Sequence, residues 1–542
     1  MYEKNQPPPL VDYNLFTSDP VLETALEAEG AGWARPAAEE FGRVLGTEET
    51  IRLGFEANEN PPVLGPEDQV DFHASWHELM RLSVENRLHC LPWHEGRPGA
   101  HVARAALMFL ASQNEAGHTC PISMTHSAVP ALRKEPEVAA EWEPRIISKV
   151  YDQQFRPAPE KKGVLIGMSM TERQGGSDVR ANTTKAEPLG NGEYLISGEK
   201  WFCSAPMNDA FLILAQAPGG LTCFLLPRWT PDSKRNAFHI QRLKPKLGNR
   251  SNASAEIEFD RTWAHRIGEE GRGVPAIMEM VQHTRLDCTI GSAALMRQAV
   301  LQATYHVERR KAFGKLLIDH PLMRNVLADL SIESQAATLL MMRLARAFDA
   351  KASDDAEQAF ARFATPVGKY WVCKRCPFVV VEAMECLGGN SYIDDCVMPR
   401  LHREAPLNSI WEGCGNVICL DILRAMKKEP ETPQLFMQEV RLARSADRRF
   451  DDFVRALEAD LPKADEYTAR FTGERLALAL QASLMIRHAP AAAADAFCAT
   501  RLAGGVGHVF GTLPGSVDAS ALLQNCGERV CVCDTMASRA AC

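Results

Sequence analysis

Two changes of periodicity along one chain restrict its fold more than any other feature. From about residue 20 to 150, apolar side chains recur at helical spacing, as over 76–82 and 103–110, with breaks at Pro61-Pro62, Pro92 and Pro98-Gly99. From about 164 to 262 the pattern turns to short β-type runs (193–197, 211–215, 222–226 and 255–259) between Gly, Asn and Pro turns. After Gly271-Arg272-Gly273 the helical spacing returns and lasts to about 428. There Glu429-Pro430-Glu431-Thr432-Pro433 reads as a linker to a further segment, mostly helical at first. The expected domains are therefore 1–163 (helical), 164–270 (β), 271–428 (helical) and 429–542 (extra, helical). Helices and strands do not alternate, so a doubly wound parallel sheet is excluded and the class is α+β. No Gly-x-Gly-x-x-Gly follows an early strand, which argues against a Rossmann dinucleotide site.

A chain of 542 residues, 46% hydrophobic and 24% charged, is long enough for several cores and has a globular balance. Its formal net charge of −9 gives nucleic acid no overall attraction, so any DNA contact needs a local basic patch. The first residues show no secretory leader, and no apolar run approaches the ~20 residues that span a bilayer. A soluble, cytoplasmic protein with no membrane partner is the expectation. The 16 cysteines are scattered, as suits a reducing compartment. Cys373 and Cys376 form a lone CxxC in an apolar stretch, with no second pair at zinc-ligand spacing. Buried thiols, rather than a metal site, are expected there. Cys531, Cys533 and Cys542 suggest no role.

Chemistry concentrates in a few stretches. Residues 167–178 form a polar, glycine-rich loop in which Gly175 and Gly176 let backbone N–H groups approach a ligand and Thr171 and Ser177 add hydroxyls. Taken alone, the loop is as readily an ordinary turn. Likewise Arg310 is a helix-surface charge, Gly388-Gly389 a helix cap, and Glu412 a carboxylate complementing a helix N-terminus.

Their joint order is more telling. Met170-Thr171-Glu172 with Gly176-Ser177-Asp178 resembles the signature of the acyl-CoA dehydrogenase family. Gly198-Glu199-Lys200-Trp201-Phe202-Cys203-Ser204 is similar to the family's flavin-contacting strand. Arg310-Lys311-Ala312-Phe313-Gly314, Gly388-Gly389-Asn390 and Trp411-Glu412-Gly413 follow in the family's order. The resemblance implies the acyl-CoA dehydrogenase fold: a helical domain, an antiparallel β domain and a C-terminal four-helix bundle. It implies FAD, contacted by Met170, Thr171, Gly176, Ser177, Phe202, Ser204, Trp411, Cys414 and Asn416. Arg310 and Phe313 would reach the pyrophosphate of a neighbouring subunit's FAD, and Gly388 and Gly389 its adenosine end, within a homotetramer. Glu412 takes the place of the base that removes the α-proton of an acyl thioester; burial would raise its pKa towards working pH. Arg285 falls at the active-site arginine, facing substrate. Gln282 stands where many members carry an aspartate, which puts an ordinary acyl-CoA substrate in doubt.

Stretches 172–178, 182–187, 246–254 and 408–412, with the extra C-terminal segment, resemble the AidB branch in particular. That branch is associated with the adaptive response to DNA alkylation. It implies a FAD flavoprotein that binds double-stranded DNA without sequence preference and protects it, with an acyl-CoA or an alkylating small molecule as ligand and weak or no dehydrogenase activity. The alternative is an acyl-CoA dehydrogenase that passes electrons to an electron-transferring flavoprotein. Residues 431–542 carry 12 Lys+Arg against 14 Asp+Glu, so this segment is not basic overall. One helix is expected there, with an apolar stripe of Phe450, Phe453, Val454, Leu457 and Leu461. Arg441, Arg444, Arg448 and Arg455 lie opposite, beside Asp452. These arginines suit DNA phosphates, but equally a solvated or inter-subunit salt-bridge face; the resemblance favours phosphates. No zinc finger or basic zipper supports sequence-specific recognition.

Overall fold

The computed structural model describes residues 5–504 and 507–523; Cys531, Cys533 and Cys542 lie outside them. The chain divides into two compact units. One consists of Arg52–Gly96 and Glu115–Asp287, the other of Met1–Ile51, Arg97–Asn114 and Cys288–Cys542.

The first unit is built on seven strands: β1 (Ile166–Ser169), β2 (Lys185–Gly190), β3 (Glu193–Ser204), β4 (Ala210–Ala217), β5 (Gly220–Pro227), β6 (Phe238–Leu243) and β7 (Ser254–Ile267). They pair in the order β1-β4-β2-β3-β7-β5, with β6 on β7, and a further β4–β5 pairing closes the path into a ring. Ile196, Phe211, Ile213, Phe224, Phe238 and Ile257 fill its core. The long β3–β7 ladder slips register twice, between Ile196 and Gly198 and between Lys200 and Cys203. Alternation along β3 buries Tyr194, Ile196 and Lys200, and then Cys203. The second irregularity thus shifts the phase by one residue, which turns Phe202 outward.

In the second unit, the helix Ala100–Asn114 is buried at every position, as expected of a helix without a polar face. The unit also holds α1 (Gly273–Val307, counted in this unit from Cys288), α2 (Pro321–Ala350), α3 (Asp355–Leu387) and α4 (Gly415–Lys428), of which α2 packs against that helix. Pro321 opens α2 at a position where a missing N–H costs nothing. Asp354 caps α3 by accepting from the N–H groups of Ala356 (2.8 Å) and Glu357 (3.3 Å).

The C-terminal segment continues with α5 (Glu431–Val440), α6 (Arg448–Asp460) and α7 (Ala469–His488). Two buried ionic networks dock it. Arg343 of α2 lies 2.9 Å from both Glu357 and Glu439, and Arg487 of α7 lies 2.6 Å from Glu439. Glu333 of α2 is held at 2.8 Å by both Arg375 of α3 and Arg501. The single helix expected to carry Arg441 through Arg455 is broken. α5 ends at Val440, Arg441–Ala443 forms one 3-10 turn, and Ser445 turns left-handed at φ 71. Asp447 then caps α6 by accepting from Arg449 N–H at 2.7 Å. A helix-starting carboxylate within the run is the physical reason. Among the described residues, no helix is long and apolar enough to cross a membrane.

Candidate active site

The loop that follows β1 is tied to β3 on both sides. Trp201 N–H donates to the Thr171 carbonyl (2.8 Å), the Ser169 hydroxyl donates to the Phe202 carbonyl (2.9 Å), and Asn182 Nδ2 donates to the Met170 carbonyl (3.0 Å). Beneath it Glu172 and Lys200, 1% exposed each, pair at 2.7 Å. Lys200 also donates to the Leu214 carbonyl (2.8 Å), while Glu172 accepts from the Thr183 (2.6 Å) and Thr184 (3.1 Å) N–H groups. Burial alone would raise the Glu172 pKa; Lys200 and these donors override it and hold the carboxyl at about 2. Burial pulls Lys200 down, against the opposing pull of Glu172. Both residues fall inside the motifs read from the sequence, but their pairing does not show there.

With its floor fixed, the loop presents Thr171 half-buried and Gly176 and Ser177 exposed. A Cβ on Gly176 would sit 2.5 Å from the Thr171 hydroxyl oxygen, so only glycine allows this approach. Met170 is half-buried; on β3, Phe202 is 50% exposed and Ser204 is half-buried. Lys244 Nζ covers the Trp201 ring at 3.6 Å. Arg285, on the part of α1 in this unit, is buried, and Gln282 keeps a buried Oε1 that accepts no hydrogen bond.

In the helical unit, Glu412 is half-buried with a left-handed backbone, φ 57, and Gly413 follows at φ 99. A glutamate in this region marks imposed strain. Lys369 of α3 supplies the constraint by donating to the Trp411 carbonyl at 2.8 Å and to the Gly413 carbonyl. Trp411 Nε1–H donates to Asn408 Oδ1 (2.8 Å), and Asn408 Nδ2 donates to Ser292 Oγ on α1 (3.2 Å). Cys414, exposed, precedes α4, and Asn416 accepts from Arg470 Nε at 2.8 Å.

A third cluster gathers Arg310, Phe313, Gly388 and Gly389. Asn5 and Gln6 brace it: Arg310 Nη1 donates to the Asn5 carbonyl (2.7 Å) and Asn390 Nδ2 donates to Gln6 Oε1 (2.8 Å). Phe313 is 96% exposed, and added Cβ atoms on Gly388 and Gly389 would meet nothing within 4 Å. The aromatic ring and the glycine backbone are thus open to an outside group, with Arg310 half-buried and braced by Asn5.

Residues 5–153 match the family described as adaptive response protein AidB N-terminal domain. Residues 167–262 match the acyl-CoA dehydrogenase middle domain and 271–427 its C-terminal domain. AidB of Escherichia coli (strain K12) is 46% identical over 507 residues, 92% of this chain and 94% of that protein. This chain is an AidB-like member of the acyl-CoA dehydrogenase family. Acyl-CoA dehydrogenase family member 11 of Caenorhabditis elegans is 30% identical over 439 residues, 76% of this chain and 70% of that one. The crystal structure of Caenorhabditis elegans ACDH-11 in complex with C11-CoA matches with a TM-score of 0.82 at 25% identity, covering 97% of this chain and 93% of that one.

In this AidB-like chain the C-terminal arginines are partly engaged. Arg441 pairs with Glu458 at 2.7 Å and Arg455 with Asp452 at 2.8 Å. Arg448, 94% exposed in its side chain, reaches Asp452 only at 3.7 Å, and Arg444 is exposed between α5 and α6. Phe450, Val454 and Leu457 are buried, as their stripe predicts. Cys373 and Cys376 are both buried; burial raises both thiols, and Cys373 donates to the Cys288 carbonyl at 3.4 Å.

Proposed function

We propose that this protein is a FAD flavoprotein that acts on an acyl thioester, with Glu412 as the base. The observation that carries the reading is the half-buried Glu412 on a left-handed backbone that Lys369 clamps through the Trp411 and Gly413 carbonyls. When bound, FAD supplies a two-electron acceptor for the β-hydrogen of the thioester. Glu412 takes the α-proton, and the N–H groups of its loop are suited to stabilise the negative charge that grows on the thioester oxygen. The loop at Thr171, Gly176 and Ser177 fits the flavin end of the cofactor. The cluster of half-buried Arg310 with exposed Phe313 and Gly388 fits the other end of a neighbouring copy's FAD, which supports a homo-oligomer. The C11-CoA bound to the Caenorhabditis elegans protein supports a thioester as ligand.

Anaerobic titration of the purified flavoprotein with acyl-CoAs of several chain lengths tests the reading. Bleaching of the visible flavin band by at least one of them, lost in Glu412→Gln with FAD retained, is expected. A wild-type protein that dithionite reduces and no acyl-CoA does would sink it.

Duplex DNA binding in an alkylation response is the second reading. It is supported by the AidB family match and by exposed Arg444, Arg448 and Arg455. Phosphate contact by three arginines makes binding steeply salt-dependent. Replacing Arg444, Arg448 and Arg455 by alanine together should weaken binding and reduce the slope of log affinity against log salt by about 2–3. An unchanged slope removes this surface from DNA binding.

A further inference from the structure

We propose that Lys369 is the positioning residue for Glu412, an inference that rests on the reading of Glu412 as the base. Lys369 lies in the middle of α3, 1% exposed, where an ammonium gives up hydration that only good hydrogen bonds replace. Its Nζ donates to two carbonyls, of Trp411 at 2.8 Å and of Gly413, one on each side of Glu412. A single ammonium thus fixes the Trp411–Glu412 and Gly413–Cys414 peptide planes, which bracket the Glu412–Gly413 pair. With both planes held, the dihedrals of Glu412 and Gly413 have little freedom, and they stand at φ 57 and φ 99.

Glutamate does not choose that region unaided. Without the grip, the Glu412 backbone relaxes towards the right-handed region and its side chain leaves from a different direction. The tie from Trp411 through Asn408 to Ser292 holds the indole and the start of the loop, but not the peptide after Glu412. Lys369 reaches past the carboxylate-bearing residue to the Gly413 carbonyl. It acts through backbone geometry rather than by touching substrate or cofactor. The sequence separates the lysine from Trp411 by 42 residues, which is why no motif contains both.

The test compares K369M and K369R with the wild type, all as purified FAD-loaded protein. A misplacement near 1 Å costs about 100-fold in rate. K369M should lose about that much in the rate of reduction by the acyl-CoA that reduces wild type. The concentration giving half-maximal rate should stay within about threefold, and K369R, whose guanidinium can fork to both carbonyls, should recover at least about tenfold of the loss. An unchanged rate in K369M overturns the proposal, as does a parallel loss of rate and affinity that K369R does not recover. If K369M does not fold, K369R decides alone: a rate within about tenfold of wild type is expected, and a rate as low as that of E412Q overturns it.

If no acyl-CoA reduces even the wild type, the dehydrogenase reading falls, and the grip is then judged by hydrogen exchange. The Trp411 N–H, which donates to the Leu407 carbonyl at 3.2 Å, should exchange at least about tenfold faster in K369M. Exchange at the wild-type rate shows that Lys369 does not hold this loop.

Discussion

Lys200 and Glu172 place opposite charges where neither has water to fall back on, so removing one partner should cost far more than removing both. Lys200→Met leaves the Glu172 carboxylate buried with only neutral donors, a loss of about 3–5 kcal/mol. Lys200→Met with Glu172→Leu should recover most of that stability in urea unfolding but not FAD affinity, because the loop above the pair loses its fixed floor. Equal FAD affinity in the double variant and the wild type would show that the pair serves stability alone. At this scale the sequence names candidates for the chemistry more readily than it shows what supports them. Glu412, Thr171, Gly176 and Ser177 could be named from motifs, because motifs are short-range. Glu172 and Lys200 stand 28 residues apart, and nothing local says that they meet. The same holds for Lys369.

Between residue and molecule, strand phase and helix ends decide what the elements present. The sequence marks only a short β-type run over 193–197, and the irregularity between Lys200 and Cys203 sets Phe202 outward and Cys203 inward. A slip of one residue is invisible to a period-two pattern. The break between α5 and α6 was written in the chain, since Asp447 is a good helix cap, but the arginine spacing on either side of it reads as continuous. Asp447→Ala should cost about 1 kcal/mol through loss of the cap. Arg501→Met should cost more. It leaves Glu333, whose carboxyl Arg375 and Arg501 hold at about 2 against the upward push of burial, with one cation instead of two. A loss of about 3 kcal/mol is expected in denaturant unfolding. The amides of α7 should exchange faster while those of β3 and β7 do not. Uniform acceleration through both units would mean that the network does more than dock the C-terminal helices.

Across the molecule, each unit seals carboxylates that must stay ionised, and this predicts how the protein meets acid. In the β-containing unit Glu115 is buried. It accepts from Asn58 Nδ2 (2.9 Å), the Ser251 hydroxyl (2.9 Å) and the Gly117 N–H (2.8 Å), and it lies 3.0 Å from His118 Nδ1. Burial pushes its pKa up, but His118 and the backbone donors prevail and hold it at about 2, as Glu172 is held in the same unit and Glu333 in the other. All three lie below the ordinary glutamate value of 4.5. Between these values the unfolded chain binds protons that the native chain does not. The contribution of each group is therefore whole above about pH 4.5 and is lost as pH falls towards 2. At about 1.4 kcal/mol per pH unit, each is worth on the order of 3 kcal/mol. Urea unfolding at pH 7, 5, 4 and 3 should show little change from these groups down to pH 5 and a steep fall below it. Glu115→Gln should be less stable than wild type at pH 7 and lose less on acidification, so the two stability curves converge near pH 3. Parallel curves would mean that Glu115 is not held ionised in the native state, and that the acid sensitivity of its unit lies elsewhere.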